Sequence, residues 1–128
     1  MSELVLDFVG SRRIVQAMED VLFNDTLTRT STLIEVLPGA SKVILMVDLT
    51  KIGTPTSVTF TIEVSLDGGS TWFVPESGSY EYLDAAIPVK EWNAAVDLPA
   101  PMFRIKGVSV GTDASTNVYT ANVFVSVL

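Results

Sequence analysis

Thr56-Ser57-Val58-Thr59-Phe60-Thr61-Ile62-Glu63-Val64-Ser65 reads with a period of two. In an extended chain Val58, Phe60, Ile62 and Val64 fall on one face, and Thr59, Thr61 and Glu63 on the other. A helical period would scatter the four apolar groups around the axis, and the β-branched residues favour a pleated surface. A strand that is apolar on one face has to bury that face against a second layer. The expected class is therefore all-β, with stacked sheets.

Outward from this strand, Lys42 to Thr50 contains Val43-Ile44-Leu45-Met46-Val47, apolar on both faces. This pattern predicts a central strand, covered by the opposing sheet on one side and by the N-terminal segment or a partner chain on the other. Gly53 and Pro55 suit the loop Lys51–Pro55 and suggest an antiparallel connection between the two strands. Further strands are expected at Leu33–Leu37, Thr71–Val74, Ser79–Leu83, Ala94–Leu98, Met102–Val110 and Asn117–Val127. In Met102–Val110 the alternation shifts phase after Ile105, which predicts a bulge at Gly107. In the last strand Tyr119, Ala121, Val123, Val125 and Val127 form the inner face, and Gly111–Thr116 turns into it. Val118 and Phe124 lie on the opposite face, which implies that this face too is covered.

These readings describe an antiparallel two-sheet sandwich over residues 32–128. Residues 1–31 read differently. Ile14, Ala17, Met18, Val21 and Leu22 recur at helical spacing, with Glu19 and Asp20 facing away. Three readings stay open: a short helix, a first strand that closes a sheet with a hairpin turn at Asn24-Asp25, or an arm that leaves the sandwich and packs on a neighbouring subunit. Ile14, Met18, Val21, Leu22 and Phe124 are accordingly the candidate protein contacts.

The chain has 128 residues, enough for one domain with a sizeable core. Its 15 acids against 8 bases, a net charge of −7, oppose binding to nucleic acid, which needs Lys and Arg to neutralise phosphates. With no Cys and no His, thiol or imidazole nucleophiles, His general bases and zinc sites are excluded together. No cofactor is expected. Met1–Phe8 lacks the basic and long apolar regions of a signal peptide, and no apolar run is long enough for a membrane helix. The expectation is a soluble protein made in the cytoplasm.

Ser65-Leu66-Asp67-Gly68-Gly69-Ser70-Thr71-Trp72 looks like the Asp-box turn of propeller proteins, S-x-D-x-G-x-x-W. Its chemistry is that of a turn: Asp67 accepts from loop amides, Gly68 and Gly69 supply positive φ, and Trp72 packs back over the hairpin. A calcium site at Asp67 or Asp113 lacks the dense acidic spacing that such sites need. Glu76/Glu81 and Asp84/Glu91 form no recognisable glycosidase signature, and no nucleophile motif surrounds any serine or lysine. An enzyme is not expected. Trp72, Phe73, Tyr80, Tyr82 and Trp92 gather in a Pro-rich middle third, where they either pack the sandwich or offer flat apolar area to a protein or glycan.

The runs Lys42–Thr50, Val58–Trp72, Phe103–Val110 and Tyr119–Val127 together resemble small jelly-roll structural proteins of tailed bacteriophage virions, the capsid decoration or cement type above all. The resemblance covers residues 32–128. It implies a jelly-roll-like sandwich, to which the residues themselves add the N-terminal arm or short helix, and a homo-oligomer located in the virion. Its partner would be the major capsid protein or another virion protein, whose subunit contacts it stabilises. A tail or neck accessory protein is the near alternative. A carbohydrate-binding β-sandwich module is the alternative from another class and requires exposed aromatics converging on one surface.

Overall fold

The computed structural model describes residues 4–9, 12–36 and 42–128. Among the described residues the regular structure is nearly all strand, in two antiparallel sheets packed face to face. Its strands are Leu4–Val9 (β1), Arg12–Phe23 (β2), Arg29–Thr30 (β3), Ile34–Glu35 (β4), Lys42–Ile52 (β5) and Ser57–Ser65 (β6). They continue with Ser79–Leu83 (β7), Val89–Trp92 (β8), Val96–Asp97 (β9), Met102–Val110 (β10) and Val118–Val127 (β11). Sheet A runs β1-β2-β11-β5-β8, with β9 also on β5; sheet B runs β3-β10-β6-β7, with β4 also on β10.

The core lies between the sheets. From sheet B it receives Val58, Phe60, Ile62, Val64, Phe103 and Ile105, and from sheet A Val43, Leu45, Leu49, Tyr119, Ala121, Val123 and Val125. Both quoted alternations, in β6 and in β11, therefore point inward as read.

Four sequence expectations change. First, β5 and β6 do not pair. β5 lies between β11 and the short strands β8 and β9, while β6 lies between β10 and β7, so Lys51–Pro55 passes from one sheet to the other. Second, Gly107 is not a bulge. The β10–β6 register runs unbroken from Met102↔Ser65 to Val110↔Ser57, and Gly107 stays on the inner face. A Cβ there would stand 2.6 Å from Phe23 Cζ and 3.2 Å from Phe60 Cε1. The glycine is the space into which the edge-to-face Phe23–Phe60 pair fits, with ring centroids 5.8 Å apart. Third, Ser109 follows inward in place of Val108 and Val110; its Oγ donates to the Asp25 carbonyl at 2.9 Å and lies 2.8 Å from Thr112 Oγ1.

Fourth, Arg12–Phe23 is neither a helix nor a detached arm but a strand of sheet A, paired with β11 along its length. Val15, Ala17, Met18 and Phe23 are buried in the core, and Arg13 reaches across to sheet B, donating to the Glu35 carbonyl at 2.5 Å. The helical spacing has a physical cause. The β2–β11 register slips twice, between Val123 and Phe124 and between Ala121 and Val123, and each slip puts an extra residue into β2. Two bulges turn a period of two into intervals of three that imitate a helix. Asp20 sits in one of them at φ 46°, a region that Asp tolerates better than most side chains. Asn24-Asp25 does not turn a hairpin either. Arg29 gathers that crossover to sheet B, donating to the carbonyls of Leu22 and Leu27, to Asn24 Oδ1 and to the Asp25 carboxylate, while its guanidinium lies over the Phe23 ring.

The smaller differences are of extent. Thr71–Val74 contributes only the bridge Val64↔Phe73, and β8 arises where no strand was expected. Leu33–Leu37 shrinks to β4, with residue 37 outside the described residues. The sandwich thus begins well before Thr32.

Candidate functional site on the outer face of sheet A

Alternation in each strand of sheet A sends every second side chain away from the core, and cross-strand register sorts these into rows. One row is Ile14–Ser126–Ile44, with Ala94 and Ala95 beside it. The next is Gln16–Phe124–Met46–Trp92. In the third, Asn122, Asp48 and Lys90 lie in line, with Glu19 and Asp20 at the β2 end. Ile14, Ile44, Met46 and Phe124 are half-buried among themselves, and Trp92 is 76% exposed.

Two adjoining hollows mark the middle of this face, of about 630 Å³ and about 410 Å³, and both are lined by Met46 and Trp92. Ser126 lies in the floor of the smaller one. It is only 4% exposed, and its Oγ has no hydrogen-bond partner. An apolar depression with an unsatisfied hydroxyl at its base suits burial against another surface rather than open water. In the third row Asn122 Nδ2 donates to Asp20 Oδ1 at 3.1 Å and Asn122 Oδ1 accepts from the Asp20 amide at 3.0 Å, which fixes the acid on this outer face.

Of the candidate contacts, Ile14 and Phe124 belong to this face, whereas Met18 is in the core and Val21 packs against it. Leu22 is exposed, two rungs along β2 beyond the acidic bulge. Ile44, Met46 and Trp92 complete the face. The signal for the first two was the run Val43–Val47, apolar on both sides; for Trp92 there was only its membership of an aromatic-rich region, because β8 was not foreseen.

The Asp-box-like segment is elsewhere, at the end of β6. Ser65 Oγ donates to Asp67 Oδ1 at 2.9 Å and accepts from the Gly69 amide at 2.8 Å, and Asp67 Oδ1 also accepts from the amides of Ser70 and Thr71 at 3.0 and 2.8 Å. Gly68 and Gly69 have φ of 78° and 102°. Hydrogen bonds from Thr71, then from Ser65, bring the Asp67 carboxyl down to about 2. Asp113 does the same in the β10–β11 turn, accepting from the amides of Ser115, Thr116 and Asn117 and from two of their side chains, which hold it well below the ordinary carboxylate range. Both carboxylates thus serve their own loops. Among the described residues no three acids gather closely enough to hold a metal ion.

The aromatics separate. Tyr82 is in the core, with its hydroxyl accepting from Asn93, and burial raises its pKa. Burial also pushes the Tyr119 hydroxyl up to about 12. Trp72 lies on the outer face of sheet B, stacked under the Arg104 guanidinium at 3.9 Å, on the opposite side of the sandwich from Trp92. The exposed Trp92 and the half-buried Trp72 therefore do not converge. Asp84, one of the acids weighed as a glycosidase residue, is bridged to Lys51 at 2.9 Å.

Among the described residues no helix is long and apolar enough to cross a membrane. Comparison with known proteins finds no matching family model and no similar curated protein.

Proposed function

We propose that this chain is a non-enzymatic structural protein of a bacteriophage virion, most specifically a decoration or cement protein that stabilises contacts between major capsid subunits. The observation that carries the reading is the apolar outer face of sheet A, with Ile14, Ile44, Met46, Trp92 and Phe124 displayed on a rigid sheet. Open apolar area of this kind, with hollows that are not closed over, serves adhesion between proteins, whereas a small-molecule site needs an enclosed pocket with convergent polar groups.

Strand order adds support. Leaving out β1 and β9 and counting β3 with β4 as one, eight strands remain, ordered first, eighth, third, sixth in sheet A and second, seventh, fourth, fifth in sheet B. That is the winding expected of a jelly roll, an architecture common among capsid proteins. The acidic balance fits a component facing away from packaged DNA.

Mass spectrometry of gradient-purified particles of the encoding phage tests this. Many copies per particle, lost together with capsid stability when the gene is deleted, are expected. Particles free of the chain would sink the reading. Specific binding on a glycan array, removed by Trp92→Ala, would replace it with the carbohydrate-binding alternative.

A further inference from the structure

We propose that the outer face of sheet A is a two-fold interface between two copies of this chain, packed face to face about an axis running between β11 and β5 and parallel to them. The proposal deepens the structural reading above, since it rests on the same face and names a second copy of the chain as what covers it; sedimentation tests the pairing, and particle composition tests the virion. Across the face the strands run β2-β11-β5-β8, so such an axis lays β2 of one copy on β8 of the other, and β11 on β5.

The rows match under that operation. The third row has acids, Glu19 and Asp20, at its β2 end and Lys90 at its β8 end. The axis brings each Lys90 to the acidic end of the second copy, twice per dimer, and sets Asp48 across from the amide of Asn122. In the second row Met46 of each copy meets Phe124 of the other, a favourable sulfur–aromatic arrangement, and Trp92 closes over Gln16. In the first row Ile44 lies over the Ser126 crevice, and Ile14 over Ala94 and Ala95.

The pattern points to a second copy rather than a different protein, since an unrelated partner imposes no requirement that charges on one edge complement those on the opposite edge of the same row. A chain of net charge −7 repels its own kind, so self-association needs opposite charges placed to meet. The area is sufficient. Strands of 12, 10, 11 and 4 residues (β2, β11, β5 and β8), about 4.8 Å apart at roughly 3.4 Å per residue, present a face of the order of 600 Å² in projection. Side-chain relief raises this towards the roughly 800 Å² per partner of a standard interface.

The test is sedimentation velocity on the full chain across micromolar concentrations, with circular dichroism melts to check that each variant is folded. The wild type should run as a dimer. Lys90→Glu should weaken association at least about tenfold, as expected when an opposed pair becomes a like-charged one at two symmetric places. Adding Glu19→Lys and Asp20→Asn to Lys90→Glu should restore it. Trp92→Glu, at a position exposed in the monomer, should abolish the dimer. A wild type that stays monomeric overturns the proposal. So does a dimer indifferent to Lys90→Glu and Trp92→Glu, or one that the exchanged charges fail to restore.

Discussion

On the outer face of sheet B, Glu63 stands between Arg104, at 2.9 Å, and Lys106, at 3.4 Å, and Arg104 in turn covers Trp72. Glu63 is 8% exposed, yet both its oxygens are paired. The corresponding middle of sheet A holds Phe124, Met46, Ile44 and an unpartnered Ser126 hydroxyl. Both sheets enclose the same core, so burial of the inner faces does not distinguish them. The difference is that sheet B satisfies its outer polar groups from its own side chains, while sheet A leaves apolar area and a buried hydroxyl to be covered from outside. A sandwich needs only its inner faces to fold, and a second apolar face is thus free to serve contact.

The largest expected effect tests whether the two sheets share one folding unit. Deleting residues 2–25 removes Val15, Ala17, Met18 and Phe23 from the core and strips β11 of a neighbour. The truncated chain should show no cooperative melt and a collapsed NMR dispersion; a well-folded product would mean that sheet A closes without β2. Gly107→Val comes next. Its side chain would enter the Phe23–Phe60 contact between the sheets, and a urea titration should find a loss of about 3 kcal/mol, at the upper end for overpacking.

A paired substitution then compares the outer faces directly. Glu63→Ala unpairs Arg104 and Lys106 and should cost about 2 kcal/mol, as for hydrogen bonds to charged groups. Ser126→Ala removes a hydroxyl that has no partner, and in dilute solution should be neutral or stabilising by up to about 1 kcal/mol. Equal losses at the two sites would erase the contrast.

The smallest effect is acid sensitivity at the end of β6. Asp67 is held at about 2 in the folded chain against an ordinary 3.8, so its contribution is present in full above about pH 4 and is lost as pH falls towards 2. Thermal melts of Asp67→Asn and the wild type should differ at neutral pH and converge below pH 2. A difference that persists unchanged into acid would remove the charged turn from the account.

Legibility followed the regularity of the strands. β6, β10 and β11 are long and paired on both sides, and their bounds were readable to within a residue or so. The error inside β10 came from size. Valine at 108 and 110 outranks glycine and serine in any hydrophobic pattern, but the inner face at that level is already filled by Phe23 and Phe60 from other strands. β2 stayed open among helix, strand and arm because bulges alter the period without leaving a mark in composition. β8 is too short for a pattern and exists because the edge of β5 offers unpaired backbone groups, whereas β9 lies within the strand expected at Ala94–Leu98. The contact face was half legible: Phe124 and Ile14 were marked as apolar groups without a home, and the doubly apolar run of β5 pointed the same way, but Trp92 joined them only through the β5–β8 register.

Taken by itself, the sequence determined the class of fold, the inner faces of its longest strands, the self-contained turn around Asp67, and the exclusion of imidazole and thiol chemistry. These depend on side-chain period, local hydrogen bonding and residue type, all of which act over a few positions. Tertiary structure alone decided that β5 and β6 lie in different sheets, that Gly107 makes room for two rings, and that Lys90 shares a row with Asp48, Asn122 and the acids of β2. Each depends on which distant strand arrives alongside, and partner choice in a sheet is settled by the burial of whole faces, which no local window of sequence contains.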